Sequence, residues 1–542
     1  MNNGYFTMKK PVNEHVMDYR RGCPERDAVL AEVERQAGLD VEIPCIIGGK
    51  EVFTGNRKAV VEPHNHHNEI AHCHLAGEKE LTEAIEASLA AKAAWREMPW
   101  EHRVSIFLKA AELLTGPYRM QMAASCMLGQ SKNAYEAEID VICELADFLR
   151  YNAYFLQEIY KQQPESTTRA WNRTEYRPLE GFVAALTPFN FTSIAGNLPC
   201  APAMCGNVIV WKPSTTAVLS NYYFMKILMK AGMPAGVMNF VPCRGEDFSR
   251  VVLSHKCMAG FHFTGSTAVF QNIWKEVGEN IAAYKTYPRL VGETGGKDFI
   301  FAHPTADVDA LVCGMVRGAF AYQGQKCSAA SRAYIPASLW PEVEKKLHEE
   351  LDGMKPGDIR DTGAFLNAVI DQKAFNRISG YLDFVRSDPD SEILIGGCCD
   401  DSIGYFVEPT VIRAANTRTK TMQEEIFGPV LTVFIYEDEK LEETMSDCAH
   451  SSQYALTGAI YAVDRMAIVH MEQALTNAAG NFYINDKPTG AVVGQQPFGG
   501  SRGSGTNDKA GSSVNLYRWL SQRAIKEMLL PEVDVKYPHM EE

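Results

Sequence analysis

The chain has 542 residues, of which 46% are hydrophobic and 22% charged, a composition of ordinary globular proteins that excludes disordered and fibrous readings and leaves room for two or three domains. Sixty-seven acidic against 53 basic residues give a net charge of −14, which repels phosphate backbones and anionic bilayers and argues against nucleic acid and membrane as partners.

In chain order, the opening MNNGYFTMKKPVNEH has no apolar run after its lysines, and Glu14 and Asp18 follow early, so the expectation is a cytoplasmic protein without a secretory or transit segment. The stretch PHNHHNEIAHCHLAG gathers His64, His66, His67, His72 and His74 around Cys73. With no matching acidic or cysteine ligands clustered nearby, it reads as an exposed polar hairpin, and no metal is expected. Residues 79–163 carry apolar side chains at three- and four-residue spacing, which predicts a helical block. The longest uncharged stretch, residues 181–211, is interrupted by Pro188, Pro199, Pro202, Asn190, Asn197 and Asn207. It reads as a buried strand, a loop and a strand, not as a membrane span.

Up to residue 299, short apolar runs (FVAAL, NVIVWKP, VMNFVP, GFHFTGS) alternate with helical stretches, the signature of a parallel sheet with crossover helices. A second such region follows Asp298, which places a boundary near residues 292–298. The tail, residues 517–525, reads as a strand that could be added to a neighbour in an oligomer. Fourteen cysteines at irregular spacing, with no CxxC, are neither a disulfide framework nor a zinc ribbon and fit a reducing compartment.

Four local signals carry chemistry. The run FTGSTAVF sets Gly265 and Ser266 between a strand and a helix, where free N–H groups favour a phosphate; the plain alternative is a structural turn. In WKPS, Lys212 stands at a strand's carboxyl end, either in a ligand crevice or as a solvated loop lysine. GQKCSAASR places Cys327 beside Lys326 and close to Arg332, cations that would lower a thiol's pKa, although it is one cysteine of fourteen. GETGGK carries Glu293 between glycines, as a mobile carboxylate or as an ordinary exposed one.

In order the chain shows TPFNF, WKPS, FTGS, GETGGK, GQKCS, EEIFGPV and QPFGGSRGSG. That ordered set resembles the aldehyde dehydrogenase superfamily over nearly the whole chain. The closer wording, including GFVAALTPFNFT, GGKDFIF, GYFVEPT, AGNFYINDKPTGAVVGQQPFGGSRGSGTND and RWLS, resembles the Δ1-pyrroline-5-carboxylate dehydrogenase family, also called L-glutamate γ-semialdehyde dehydrogenases.

The resemblance implies an α/β, aldehyde dehydrogenase-like fold. Its expected parts are a helical region with a Rossmann-type NAD-binding domain (residues 1–160 and 180–292), a catalytic thiol domain (293–505) and a small β oligomerisation element (161–179 and 506–542). It implies Cys327 as nucleophile, Asn190 with the Cys327 N–H as oxyanion donors, and Glu293 as the base that activates water against a thioester. NAD is the implied cofactor, with Lys212 and Glu425 on ribose hydroxyls, Thr187 lining the site, and Gly265, Ser266, Thr267, Ala268 and Val269 facing the pyrophosphate. Thr215 stands where many relatives have a glutamate, which removes the repulsion that excludes a 2′-phosphate and opens weak NADP use.

For substrate, the resemblance implies Gly490 and Ala491 as main-chain donors to an α-carboxylate, Ser328 assisting, and Phe191 and Phe498 sandwiching the aliphatic part. The implied reaction is oxidation of L-glutamate γ-semialdehyde to L-glutamate in proline catabolism, by a homodimer or higher homo-oligomer paired functionally with a separate proline dehydrogenase. The alternatives are another semialdehyde dehydrogenase, a CoA-acylating one, or a non-catalytic binding protein on the same fold.

Overall fold

The computed structural model describes residues 4–540. The predicted helical block is present as Glu78–Glu97, Trp100–Thr115, Arg119–Gln130 and Leu145–Tyr160. Trp100–Thr115 shows why: Val104, Phe107, Ala111 and Leu114 recur at three- and four-residue spacing and are all buried, so one stripe of the helix is removed from water. Before Leu145 the chain makes a π-helical turn, Glu138–Glu144, which carries Glu138 and Asp140 into the interior.

The first large sheet has the order Arg289–Glu293, Met258–Thr264, Phe182–Leu186, Ile209–Lys212, Met238–Phe240, Cys45–Ile47, Lys50–Val52. Its first five strands are parallel, and the N-terminal hairpin joins antiparallel at the edge. Met258–Thr264 is buried along its entire length, as expected for a parallel strand covered on both faces. The chain lays down Phe182–Leu186, then Ile209–Lys212, then Met238–Phe240, and returns to the other side for Met258–Thr264 and Arg289–Glu293. The winding direction therefore reverses between Phe182–Leu186 and Met258–Thr264, and the crevice at their carboxyl ends, where Thr187 and Gly265 lie, is where such sheets bind ligands.

A second sheet has the order Ser391–Ile395, Thr410–Ala414, Val430–Tyr436, Ala330–Pro336, Asp298–Ala302, Thr457–Tyr461, Asn481–Ile484, parallel except at Ser391–Ile395. Only residues 294–297 separate the last strand of the first sheet from the opening strand of the second. The carboxyl end of one sheet thus meets the amino end of the other, and the GETGGK motif is the junction.

Two expectations need correction. Residues 181–211 hold a helix, Thr192–Met204, where a loop was expected, with Pro199 and Pro202 inside it. Nearly every residue of that helix is buried, so it has no polar face to generate an amphipathic pattern, and its prolines read as breakers. Its first turn is held by the Asp140 carboxylate, which accepts from the N–H of Thr192 at 3.0 Å and of Ser193 at 2.8 Å. The tail strand, Leu520–Met528, pairs within its own chain, antiparallel to Ala170–Pro178.

Candidate active site

Cys327 is half-buried in the loop between the turn Ala321–Gly324 and the strand Ala330–Pro336. Tyr322, Gln323 and Gly324 all have positive φ (50°, 55° and 65°), a tight left-handed run that brings the loop back on itself. Gln323 fixes it by donating through Nε2 to the carbonyls of Ser131 at 2.9 Å and Ala368 at 2.8 Å. Asn190 is buried, and its Nδ2 donates to the Gln325 carbonyl at 3.0 Å, two residues before the thiol. The expected oxyanion amide and the expected nucleophile therefore share one loop, although they are 137 positions apart (327 − 190) in sequence.

The electrostatics of the thiol differ from the expectation. Lys326 is paired with Glu136 at 2.9 Å. Arg332 is buried and donates to the Lys297 carbonyl, the Tyr334 hydroxyl and Ser451 Oγ at 2.7, 3.1 and 2.7 Å. Burial instead drives the Cys327 pKa well up, and the carboxyls of Asp298, Glu293, Glu425 and Glu144 push in the same direction. Burial and carboxyls, not a side-chain cation, are the largest influences on this sulfur.

Glu293 ends the strand Arg289–Glu293, and its backbone carbonyl accepts from the Gly265 N–H at 3.2 Å, so the expected base and the expected phosphate turn are tied together. Its side chain is buried with a pKa raised well above the ordinary range by burial; the Gly500 N–H and Lys509 oppose that rise. Glu425 lies against the junction, where Gly296 donates its N–H to Oε1 at 3.0 Å, and burial pushes its pKa up to about 7. A Cβ on Gly295 would be 2.1 Å from that carboxylate, so a side chain there would displace Glu425 from the junction.

The other expected cofactor residues line the switch-point crevice. Thr187 is buried, accepting from Trp211 Nε1 at 3.1 Å, and its N–H donates to the Lys212 carbonyl at 3.1 Å. Lys212 is buried at its strand's end, with its pKa lowered by burial and by Lys58. The helix Thr267–Glu279 starts at Ser266, whose side chain makes no cap, has no acidic residue in its first turn, and leaves Ser266, Ala268 and Val269 exposed. A Cβ on Gly265 would be 2.7 Å from the Phe263 ring. Open N–H groups at a helix start, a glycine that admits close approach and a lysine at the switch point fit a dinucleotide. Lys212 feels Lys58, Cys73 and Cys243, whereas Glu425 feels Lys297 and Arg377, so the two belong to different ends of the site.

On the substrate side, Ser328 Oγ and Thr489 Oγ1 are 2.8 Å apart, linking the residue after the nucleophile to the turn where Gly490 has φ 95°. Ala491 follows, half-buried. Phe191 packs edge-on against Tyr322 at 6.2 Å, and Phe498 is held by reciprocal backbone bonds with Ala510.

Sequence reasoning missed four side chains. Glu144, on the π-turn, accepts from Ser193 Oγ at 2.9 Å, has its pKa pushed up to about 8 by burial and then by Asp140, and acts on Cys327. The available signal was EAEIDVICELADF, where five acids interrupt an otherwise apolar helix. Lys132 is fully buried, 2.7 Å from Asp140, with Nζ 4.0 Å from the Phe191 ring centre and 4.3 Å from that of Tyr322. Lys297 has a buried Nζ without a hydrogen-bond partner among the described residues, and burial lowers its pKa to about 7. Lys58 donates to Thr215 Oγ1 at 2.9 Å, adding a cation beside Lys212.

The histidine stretch departs from an exposed hairpin. His64 and His74 are buried, and the acids judged missing are present, each on its own imidazole: Glu62 on His64 at 3.2 Å, Asp40 on His72 at 2.7 Å and Glu42 on His74 at 2.8 Å. Asp40 and Glu42 come from 32 positions away, which spacing does not reveal, whereas Glu62 stands two residues before His64. Among the described residues, no group of three or more histidine, cysteine or acidic side chains is arranged to hold a metal ion.

Residues 53–525 match the aldehyde dehydrogenase family model. The chain belongs to that family. It is 50% identical over 98% of its length, and 96% of the relative's, to the mitochondrial Δ1-pyrroline-5-carboxylate dehydrogenase of Dictyostelium discoideum. To the human mitochondrial enzyme of the same name it is 48% identical over 98% of this chain and 95% of that one. Among solved structures, the Mycobacterium tuberculosis Δ1-pyrroline-5-carboxylate dehydrogenase bound with NAD superposes with a TM-score of 0.96 at 48% identity, covering both chains completely. A Thermus 1-pyrroline-5-carboxylate dehydrogenase with bound NAD gives 0.91 at 30% identity over 97% of this chain and all of that one. As a family member, the chain is an aldehyde dehydrogenase of α/β fold, and no helix among its described residues is long and apolar enough to cross a membrane.

Proposed function

We propose that this aldehyde dehydrogenase uses NAD to oxidise L-glutamate γ-semialdehyde, the open form of Δ1-pyrroline-5-carboxylate, to L-glutamate in proline catabolism. The observation that carries the reading is the convergence on Cys327 of an amide from the carboxyl end of an interior strand of the first sheet, Asn190, and a carboxyl at the sheet junction, Glu293. Full-length similarity to enzymes of that name supports the substrate, and NAD-bound structures of such enzymes support the cofactor.

The Cys327 sulfur adds to the aldehyde carbon, and its proton leaves to one of the carboxyls around it. The new oxyanion is held by Asn190 Nδ2 and the Cys327 N–H. Lys212 and Glu425 would hold the cofactor's ribose hydroxyls, residues 265–269 would face its pyrophosphate, and Thr187 would line its crevice. NAD, when bound, accepts the hydride and brings a positively charged ring that favours the thiolate. Glu293 then takes a proton from water, which attacks the thioester and releases glutamate. Gly490 and Ala491 donate N–H groups to the α-carboxylate, Ser328 braces that turn through Thr489, Phe191 and Phe498 flank the methylenes, and Glu144 faces the α-ammonium. A buried base in reach of the thiol favours water over CoA as acceptor.

The paired strands Ala170–Pro178 and Leu520–Met528 and the tail beyond them form the element through which two copies join. The first step of the pathway falls to a separate proline dehydrogenase; proline utilization A of Bdellovibrio bacteriovorus matches this chain over 54% of its own length. All fourteen cysteines are free thiols, which supports a reducing compartment such as the cytoplasm. Relatives are named mitochondrial, and cell fractionation decides between the two. The function is tested by NADH formation with Δ1-pyrroline-5-carboxylate against aldehydes lacking the α-carboxylate, with and without CoA: selectivity for the former and indifference to CoA are expected, and equal rates contradict the reading.

A further inference from the structure

Glu293 sits in a setting that opposes a base. One carboxylate oxygen, Oε2, is buried without a hydrogen-bond partner among the described residues, and burial holds the group towards its protonated form. A protonated carboxyl cannot take a proton from water. The charged and titratable groups that face it are Asp508, which raises its proton affinity further, the Cys327 thiol, and Lys509, the cation that opposes them.

Lys509 acts across a peptide group. Its Nζ donates to the carbonyl of Gly499 at 2.8 Å, to that of Gly480 at 2.9 Å and to Asn481 Oδ1 at 3.5 Å. The Gly499 carbonyl and the Gly500 N–H belong to one peptide unit, and that N–H is the backbone donor favouring ionised Glu293. The carboxylate lies so close that a Cβ on Gly499 would be 2.9 Å from Glu293 Oε1. Asn481 holds the chain just before that unit, accepting from the Gly499 N–H at 3.1 Å and donating to the Pro497 carbonyl at 3.0 Å. Asn507 and Lys509 both have left-handed backbones, with φ 54° and 46°, a cost that persists where surrounding structure enforces it and that clusters at functional sites.

We infer that Lys509 is a positioning residue for Glu293: its ammonium polarises the peptide joining Gly499 and Gly500 from the carbonyl side, so that the N–H of that peptide binds and orients the carboxylate for thioester hydrolysis. A donor whose carbonyl is already bonded to a cation is the stronger donor. In the assisted step the water oxygen bonds to the thioester carbon and its proton passes to Glu293. As the C–S bond breaks, the electron pair returns to the Cys327 sulfur. Lys509 touches neither the water nor the thioester. This inference rests on Glu293 being the hydrolytic base.

The test compares Lys509→Met, Lys509→Arg and Glu293→Gln by rapid quench, with intact-mass detection of the acyl-enzyme as it forms and decays across the pH range. Lys509→Met is expected to form the acyl-enzyme at the parent's rate. Its decay should be about tenfold slower near neutrality, with the acid limb of the decay profile displaced upward by about one pH unit. Lys509→Arg should restore both. An acid limb that coincides with the parent's in Lys509→Met, or an arginine variant that stays displaced, overturns the inference; so does slowing of formation and decay together without displacement, the pattern of a merely structural lysine. Glu293→Gln separates the two claims: if its acyl-enzyme decays as in the parent, the base assignment itself fails, whereas persistence there with an undisplaced Lys509→Met removes only the lysine's role.

Discussion

Cys327 meets an environment of carboxyls, and that shapes what its neighbours do. Because burial and four acids hold the thiol protonated, rate depends on groups that stabilise the oxyanion once the sulfur has added. Asn190→Ala should therefore lower kcat by about 10²–10³ while the chain stays folded, read from steady-state NADH formation. Glu144 offers a check on the burial argument itself. Its folded pKa of about 8 lies above an unfolded carboxyl's, so the folded state binds more protons than the unfolded one between roughly pH 4.5 and 8, and ionisation in that window erodes stability. Glu144→Gln removes that loss. Its thermal midpoint should rise relative to the parent's as pH increases through the window, with KM for the amino-acid aldehyde also raised; a midpoint difference that is flat with pH would contradict the assignment. Lys58 on Thr215 adds positive charge beside Lys212, the residue proposed to hold a cofactor ribose. Lys58→Glu should shift the NADP to NAD ratio of kcat/KM towards NAD by about tenfold, the worth of one charged hydrogen bond.

Among the elements, the helix Thr192–Met204 and the π-turn Glu138–Glu144 were the least legible in sequence and matter most to the site. A strand announces itself by an apolar run, and four of the five parallel strands of the first sheet were readable from runs such as GFHF and FVAAL; Arg289–Glu293 was not, because it runs into the glycines of GETGGK. A helix buried on all sides has no periodicity to show, and Asp140 reaches the start of that helix from 52 positions away. The same distance hides Lys132, whose ammonium ties Asp140 to the rings of Phe191 and Tyr322, and so couples the loop of Asn190 to the loop of Cys327. Lys132→Met leaves an uncompensated buried carboxylate. It should cost about 3–5 kcal/mol in denaturant unfolding and lower kcat, while a surface change such as Lys79→Met should do neither.

For the whole molecule, the motif order made the architecture readable where single motifs did not. The carboxyl ends of the first sheet were legible from Lys212 and Gly265; what the motif order could not give is that the second sheet meets them with its amino ends, joined through residues 294–297. The expected cations at Cys327, Lys326 and Arg332, failed for a related reason, since proximity in sequence says nothing about which way a side chain turns in a loop with three left-handed residues. The tail carries exposed apolar side chains, Leu530 at 65%, Val533 at 97% and Val535 at 93%, next to the paired strands Ala170–Pro178 and Leu520–Met528. Surface of that kind needs a cover. Light scattering should give at least twice the chain mass of 60.2 kDa, and removal of residues 529–542 should shift the distribution towards the monomer.

The central claim is that Cys327 converts the aldehyde of glutamate γ-semialdehyde to an acid at the expense of NAD. The direct measurement is NADH absorbance on mixing the purified chain with NAD and Δ1-pyrroline-5-carboxylate, for the parent and for Cys327→Ala. The account predicts steady NADH formation with glutamate as the product, and none in the variant. Full activity in Cys327→Ala, or a parent that oxidises simple aldehydes but not this substrate, would contradict it.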